Sequence, residues 1–463
     1  MQAVKKGLRS DIDMTEGGIA GKIIRFSIPL LIGNLFQQLY NMVDTWVIGQ
    51  TGAAGEYAAV GSIGPVINIL IGFFLGFSSG AGVIISQYYG ARNEEGVRRT
   101  VHTAITVTVL LSVVFTVAGI LLAPYILKIM LDETQETYGY AVTYLRIYFA
   151  GVTGLLFYNM GAAILRAVGD SRHPFYFLIV SAVTNTVLDL VFVYTFEMGV
   201  AGVALATVIA QCLSAVLVVL TLVRSRLSIR LEWRSLGVSK DILKKISLLG
   251  LPAGVQMALT SFSNVFVQSY VGGTTVGEEV ALGAWTTYTK VDQFIFLPVQ
   301  SIGLAVTTFV GQNLGKGNAR RARRGTLLAY AMATATTVTI VGIVEIFAPY
   351  LATLFNPDAA IVENATVLLR YLSPFYLLPC INQIFSASLR GAGNTRAPMI
   401  TMLVSFVGFR QLYLFIVTHF ISNDLLPVAF SYPVGWFLCA VITLLVYALS
   451  RYEKCALIEK AAT

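Results

Sequence analysis

The sequence predicts an all-α polytopic membrane protein, with twelve transmembrane helices in two pseudo-symmetric six-helix bundles. Three observations carry that expectation. The 463-residue chain is 56% hydrophobic and only 12% charged, too few charges to solvate a soluble protein of this length. Its apolar residues gather in stretches of about 20 or more, the length that crosses a bilayer. The second half of the chain also repeats the first.

Twelve stretches meet the bilayer length: 26–48, 59–86, 100–123, 139–161, 175–196, 200–223, 246–270, 281–311, 326–348, 364–386, 397–419 and 427–450. Pro29, Pro65, Pro252 and Pro298 fall inside the first, second, seventh and eighth. Kinks or tilts are expected there, because proline removes a backbone donor and clashes with the preceding turn. Residues 1–25 form a polar N-terminal segment with no signal-peptide pattern. Residues 26–223 are the first lobe, 224–245 a basic linker, 246–450 the second lobe and 451–463 the tail.

Charge sets the orientation. Most lysines and arginines lie in the N-terminal segment, in loops near 92–99, 166–172, 224–245, 316–324 and 390–396, and in the tail. The alternate loops carry Glu56, Asp132, Glu133, Glu136, Glu197, Glu278, Glu279, Asp358 and Asp424. This asymmetry places both termini in the cytoplasm. It also reads the +8 net charge as membrane orientation rather than nucleic-acid binding.

The repeat is tandem. Ile28-Pro29-Leu30 matches Leu251-Pro252-Ala253, and Gln87-Tyr88-Tyr89-Gly90 matches Gln312-Asn313-Leu314-Gly315. Leu165-Arg166 through His173-Pro174 matches Leu389-Arg390 through Ala397-Pro398, with Gly169-Asp170 against Gly393-Asn394. Six helices separate the copies, so they are parallel repeats, for which a substrate site between the halves is expected. The Leu-Arg-x-x-Gly pattern itself reads as a structural turn.

Several functions are excluded. Cys212, Cys380, Cys439 and Cys455 show no metal-ligand spacing, and neither do His102, His173 and His419. There is no GxxxxGK[ST], no nucleophile–base pair and no HExxH. No cofactor, nucleotide or enzyme chemistry is expected; energy comes from an ion gradient or the substrate's own gradient.

The polar residues inside the spans carry the function. Gln37, Tyr40, Asn41 and Asp44 recur at i, i+3, i+4 and i+7, one stripe of the first helix. An intramembrane acid marks an ion or substrate path, or ties its helix to a neighbour. Asn185 and Asp189 share a face of the fifth span, and Thr207 lies in the sixth. Two carboxylates, an amide carbonyl and a hydroxyl suit Na+; two carboxylates in low dielectric equally suit a proton. A buried structural network is compatible with either. Asn68 and Asn159 add amides at similar depth. The second half lacks this set: Val267, Phe409 and Tyr413 stand at the positions of Asp44, Asn185 and Asp189. It carries instead Lys290, Asp292 and Arg410, the first two too close in sequence to face each other on a helix. Lys290 and Asp292 are cavity candidates. Arg410 either holds a structural carboxylate or carbonyl, or meets substrate.

These features together resemble the multidrug and toxic compound extrusion (MATE) transporters, over nearly the whole chain. The resemblance rests on the IPLLIGNLFQQLYNMVDTWVIG stretch, QYYGAR, GQNLGKGN and the paired LRxxG turns. It is closest to the DinF-like and MepA-like bacterial branch. It implies a pair of bundles around a central cavity in the bacterial cytoplasmic membrane. It also implies a monomer that exports organic cations or amphipathic drugs against inward H+ or Na+. Asp44, Asn185, Asp189 and Thr207 match that branch's first-lobe cation site, and Gln37, Tyr40 and Asn159 its cavity. In the NorM-like branch two second-lobe acids occur where this chain has Thr260 and Cys380, so the resemblance places the cation site in the first lobe. The same fold class contains lipid-linked oligosaccharide flippases, an alternative that requires a basic cavity; an ion channel is a third.

Overall fold

The computed structural model describes residues 12–50, 54–131 and 136–450. The tail 451–463 with Cys455, and the loop acids Asp132 and Glu133, lie outside the described residues. The helices run α1 (Ile19–Gln50), α2 (Ala54–Gly90), α3 (Glu94–Met130), α4 (Glu136–Ala150), α5 (Val152–Ala167), α6 (Arg172–Leu190) and α7 (Gly199–Arg224). The second repeat follows with α8 (Lys240–Gly272), α9 (Glu278–Gly315), α10 (Ala319–Phe355), α11 (Ala359–Leu372), α12 (Leu377–Gly391), α13 (Arg396–Met402), α14 (Arg410–Phe420), α15 (Leu425–Ala429) and α16 (Ser431–Leu449).

Ten of the described spans are long and apolar enough to cross a membrane, and α4 with α5, bent by 49°, adds an eleventh. The tenth expected stretch, 364–386, is the one not matched by these, being broken between α11 and α12 by a 3-10 turn at Ser373–Tyr376. Pro374 and Pro379 sit at this break, and Glu363 and Arg370 dilute its apolar character. Pro29, Pro252 and Pro298, by contrast, lie within continuous helices. On α3 a row of Leu110, Val113, Val114, Val117 and Leu121 is exposed, an apolar surface that suits lipid rather than water.

The repeat is visible in the local chemistry of each half. Asn93 caps α3 by accepting from the Gly96 amide at 2.8 Å, and Asn318 caps α10 by accepting from the Arg321 amide at 3.0 Å. These side chains satisfy amides that a helix start leaves without partners. Both LRxxG motifs form turns around a left-handed glycine, Gly169 at φ 94° and Gly393 at φ 90°. Asp170 Oδ1 then accepts from the amides of Arg172 and His173, each at 3.1 Å, and Asn394 Oδ1 accepts from the Ala397 amide at 3.1 Å.

At Gly169 the conformation is also a packing requirement. Its carbonyl accepts from the Ile12 amide at 3.2 Å, and a Cβ here would stand 2.3 Å from the Ile12 oxygen. Gly169→Ala is therefore expected to destabilise the protein by roughly 1–3 kcal/mol, read as a lower thermal unfolding midpoint in detergent. Gly342→Ala on α10, with open space around its Cβ, is the control and is expected to be neutral or mildly stabilising.

The chain divides into two compact units. The first comprises Met1–Asp13 and Ile28–Leu251, the second Met14–Ser27 and Pro252–Thr463. The boundary thus falls inside α8, beyond the segment 224–245 expected as a linker. The reason is that this segment is fastened to the first unit. Ile229 and Leu231 are buried, the Glu232 amide donates to His102 Nε2 at 3.1 Å, and the Ser239 amide donates to Thr103 Oγ1 at 3.2 Å. Gly250 of α8 then packs backbone to backbone on Gly80 of α2.

Candidate functional site

In the first unit three helices bring the polar residues together. α6 and α7 are locked by side-chain bonds to backbone: Ser181 Oγ donates to the Ala210 carbonyl at 3.0 Å, and Ser214 Oγ to the Phe177 carbonyl at 3.3 Å. That register sets Asn185 beside Thr207, whose Oγ1 accepts from Asn185 Nδ2 at 3.5 Å and donates to the Val203 carbonyl at 3.0 Å. Asp189 lies one turn further along α6, directly before a π-helical turn at Val191–Thr195. From α1, the Asp44 carboxyl comes within hydrogen-bonding reach of Asp189. Asn185 and Asp189 are buried, at 1% and 0% exposure.

The oxygens of this group are under-satisfied. Asp44 Oδ1, Asn185 Oδ1 and both carboxyl oxygens of Asp189 are buried with no hydrogen-bond donor among the described residues. Two ionised carboxylates are acceptors only, so neither can serve the other. Burying such oxygens without a proton or counter-charge is strongly unfavourable.

The α1 stripe is present, with Gln37 and Tyr40 half-buried and Asn41 exposed. Tyr40 lies in electrostatic contact with Asp44 and in hydrogen-bonding reach of Gln37. Sequence reasoning missed Tyr144 and Tyr148 of α4. Their rings stack at 6.3 Å, Tyr144 reaches Thr207, and Tyr148 reaches Gln211 of α7. The i, i+4 repetition of Tyr140, Tyr144 and Tyr148 was the available signal. Asn159 spends its amide nitrogen on the Leu155 carbonyl of its own helix at 2.9 Å. Asn68 is exposed on α2, and no hydrogen bond among the described residues ties it to the carboxyl pair.

The second unit is organised differently. Thr260 bonds back to the Gln256 carbonyl at 2.8 Å, and the Cys380 thiol meets Thr337 Oγ1 at 3.0 Å. Asp292 of α9 accepts from the Tyr376 hydroxyl. Lys290 is half-buried, and no ion pair links it to Asp292 among the described residues. Arg410 is 2% exposed, and its Nη2 donates to Ser263 Oγ at 2.6 Å and Asn264 Oδ1 at 2.9 Å. Its guanidinium stacks on Phe406 and Tyr432 at 5.2 and 4.9 Å. Arg410 thus holds a hydroxyl and an amide carbonyl of α8, and no carboxylate among the described residues pairs with it.

A family model described as MatE matches residues 29–191 and 252–416, one block in each repeat. The chain belongs to the MatE family. Within it, the chain is 29% identical over 438 residues to the probable multidrug resistance protein YoeA of Bacillus subtilis, covering 92% of each protein. It is 25% identical to the probable multidrug resistance protein NorM of Thermotoga maritima, over 96% of this chain and 95% of that one. A MOP superfamily transporter from Pyrococcus furiosus superposes with a TM-score of 0.91 at 25% identity, over 97% of this chain and 99% of that one. A MATE crystal structure in complex with MaL6 superposes at 0.89, also at 25% identity, over 96% of this chain and 98% of that one. The expected family and all-helical fold stand. The MatE blocks begin at Pro29 and Pro252, residues the repeat itself aligns.

Proposed function

We propose that the protein is a secondary active multidrug efflux antiporter, exporting cationic or amphipathic organic compounds against inward movement of H+ or Na+. The observation that carries this reading is the set of donor-free oxygens on Asp44, Asn185 and Asp189. A proton shared between the carboxyls, or Na+ held by the converging oxygens, supplies the missing positive charge. Because Tyr40 and Tyr144 lie within the electrostatic reach of Asp44, an organic cation against those rings competes electrostatically with the ion. Gln37 and Asn41 extend the same polar face of α1. Exchange of ion for drug then gives antiport. The protein works as a monomer in the bacterial cytoplasmic membrane, with both termini cytoplasmic. The multidrug-resistance names of YoeA and NorM support the substrate class. The flippase alternative has no such support, since the buried Arg410 is engaged by Ser263 and Asn264.

Proteoliposomes loaded with ethidium test this reading. Imposed Na+ and pH gradients are compared, and one of them is expected to drive export. If neither accelerates ethidium movement, the antiport assignment fails.

A further inference from the structure

The second unit opens α10 with a cluster of positive charge that the antiport reading leaves unused. We propose that this cluster binds the headgroup phosphate of an anionic phospholipid, in the leaflet at which α10 begins. The site stands independently of the antiport reading, which supplies only the name of that leaflet, cytoplasmic.

Ile19, Asn318, Arg320, Arg321 and Arg324 line a cavity of about 270 Å³. Arg320 and Arg324 are exposed and lie four residues apart, on one face of the helix. Neither has an ion pair or a hydrogen bond among the described residues. Arg321 is held by the backbone ahead of α1: its Nη2 donates to the Gly17 carbonyl at 2.8 Å and the Glu16 carbonyl at 3.1 Å. Its guanidinium lies over the Phe309 ring at 5.5 Å, and its Nε is buried with no acceptor among the described residues. The Glu16 carboxylate, the acid of this corner, pairs with Lys316 Nζ at 2.8 Å.

The arrangement is unfavourable without an anion. Like charges at i and i+4 repel, and cations are disfavoured at the positive end of a helix dipole. No acid stands in the first turn of α10. The matching turn of the first repeat is neutralised from within. There α3 begins with Glu94 and Glu95, Glu95 pairs with Arg98 at 3.7 Å, and Arg99 donates to Ser239 Oγ at 3.0 Å. Counted from the capping residues Asn93 and Asn318, Arg320 stands at the position of Glu95. The second repeat thus carries a base beside its cavity where the first carries an acid, and the missing negative charge must come from outside the chain.

The surface along the helix decides which anion. Leu327 and Leu328 are exposed at i+3 and i+4 from Arg324, so an apolar face starts directly beside the arginines. Val338, Ile343 and Ile346 are exposed further along α10. Such a face suits acyl chains. Arginine forks take phosphate oxygens in pairs, and basic pockets at the membrane surface recognise lipid headgroups. A molecule with a phosphate at one end and hydrocarbon at the other matches both the cavity and the face beside it. Inorganic phosphate matches only the cavity.

Lipid binding to delipidated full-length protein in detergent tests the proposal. Native mass spectrometry counts bound dioleoylphosphatidylglycerol as its concentration is raised, with zwitterionic dioleoylphosphatidylcholine and inorganic phosphate in parallel. Dioleoylphosphatidylglycerol is expected to bind more tightly than dioleoylphosphatidylcholine and to resist displacement by an equal concentration of inorganic phosphate. Arg320→Gln combined with Arg324→Gln is expected to weaken its binding about 30-fold, about fivefold for each charge removed. Arg98→Gln combined with Arg99→Gln removes the same charge from α3 and is expected to leave the affinity nearly unchanged. Equal weakening in the two double variants reduces the effect to overall charge and overturns the proposal. Equal affinity of the unsubstituted protein for the two lipids overturns it too. So does displacement by inorganic phosphate, which makes the cavity a site for a soluble anion. These last two arms decide even if a variant fails to fold. No gradient or drug is present, so failure here is distinguishable from failure of the antiport reading.

Discussion

Asp189→Asn is expected to lower cation-driven drug accumulation by about 5–150-fold, the span of a coupling free energy of about 1–3 kcal/mol. The substitution keeps the shape of the side chain and removes the charge that calls for a cation. It is also expected to raise stability. The new amide is a donor within reach of Asp44, whose Oδ1 has none among the described residues. Supplying it removes a penalty of about 1–3 kcal/mol for a buried unsatisfied acceptor. Opposite signs on transport and stability set a coupling role apart from a structural one. Resistance of drug-sensitive bacteria to ethidium measures the first and thermal unfolding in detergent the second. Full resistance in both Asp189→Asn and Asp44→Asn removes the carboxyl pair from the mechanism. A large loss of stability makes the pair a structural network instead.

The second large effect belongs to packing. A Cβ at Gly80 would lie 2.7 Å from the Gly250 nitrogen and 2.9 Å from its Cα, both backbone atoms with no rotamer to escape into. Small residues at such crossings let membrane helices approach closely. Gly80→Val is therefore expected to cost at least the usual overpacking penalty of about 1–3 kcal/mol, and to reduce the yield of folded protein in the membrane. Gly342→Val on α10, in open space, is the matched control. Equal unfolding midpoints for the two variants contradict the α2–α8 contact.

Much of this architecture was legible because it is written locally. The turns at Gly169 and Gly393 depend on residues within a few positions of one another. The Asn185–Asp189 face follows from helical periodicity alone. What was not legible depends on register between distant helices. Tyr144 joins the carboxyl group only because α4 packs against α7, and Tyr376 finds Asp292 across 84 residues. Arg410 was legible as a costly buried charge, but its partners Ser263 and Asn264 lie some 146 residues away. The π turns at Val191–Thr195 and Leu403–Phe409 have no sequence signature of their own, yet they flank Asp189 and Arg410. The break between α11 and α12 coincides with Pro374 and Pro379, which apolar length alone does not register.

The division of α1 and α8 between the two units has a consequence for biosynthesis. Met14–Ser27 leaves the ribosome before any other part of the second unit, and Lys240–Leu251 emerges after the rest of the first. The first unit cannot close until translation has passed Gly250, and the earliest segment of the second waits for nearly the entire chain. Vectorial synthesis therefore cannot finish one half and then start the other. A gene split within 225–239 is expected to yield two fragments that are each incomplete, and stable only when co-expressed so that they exchange these helix ends.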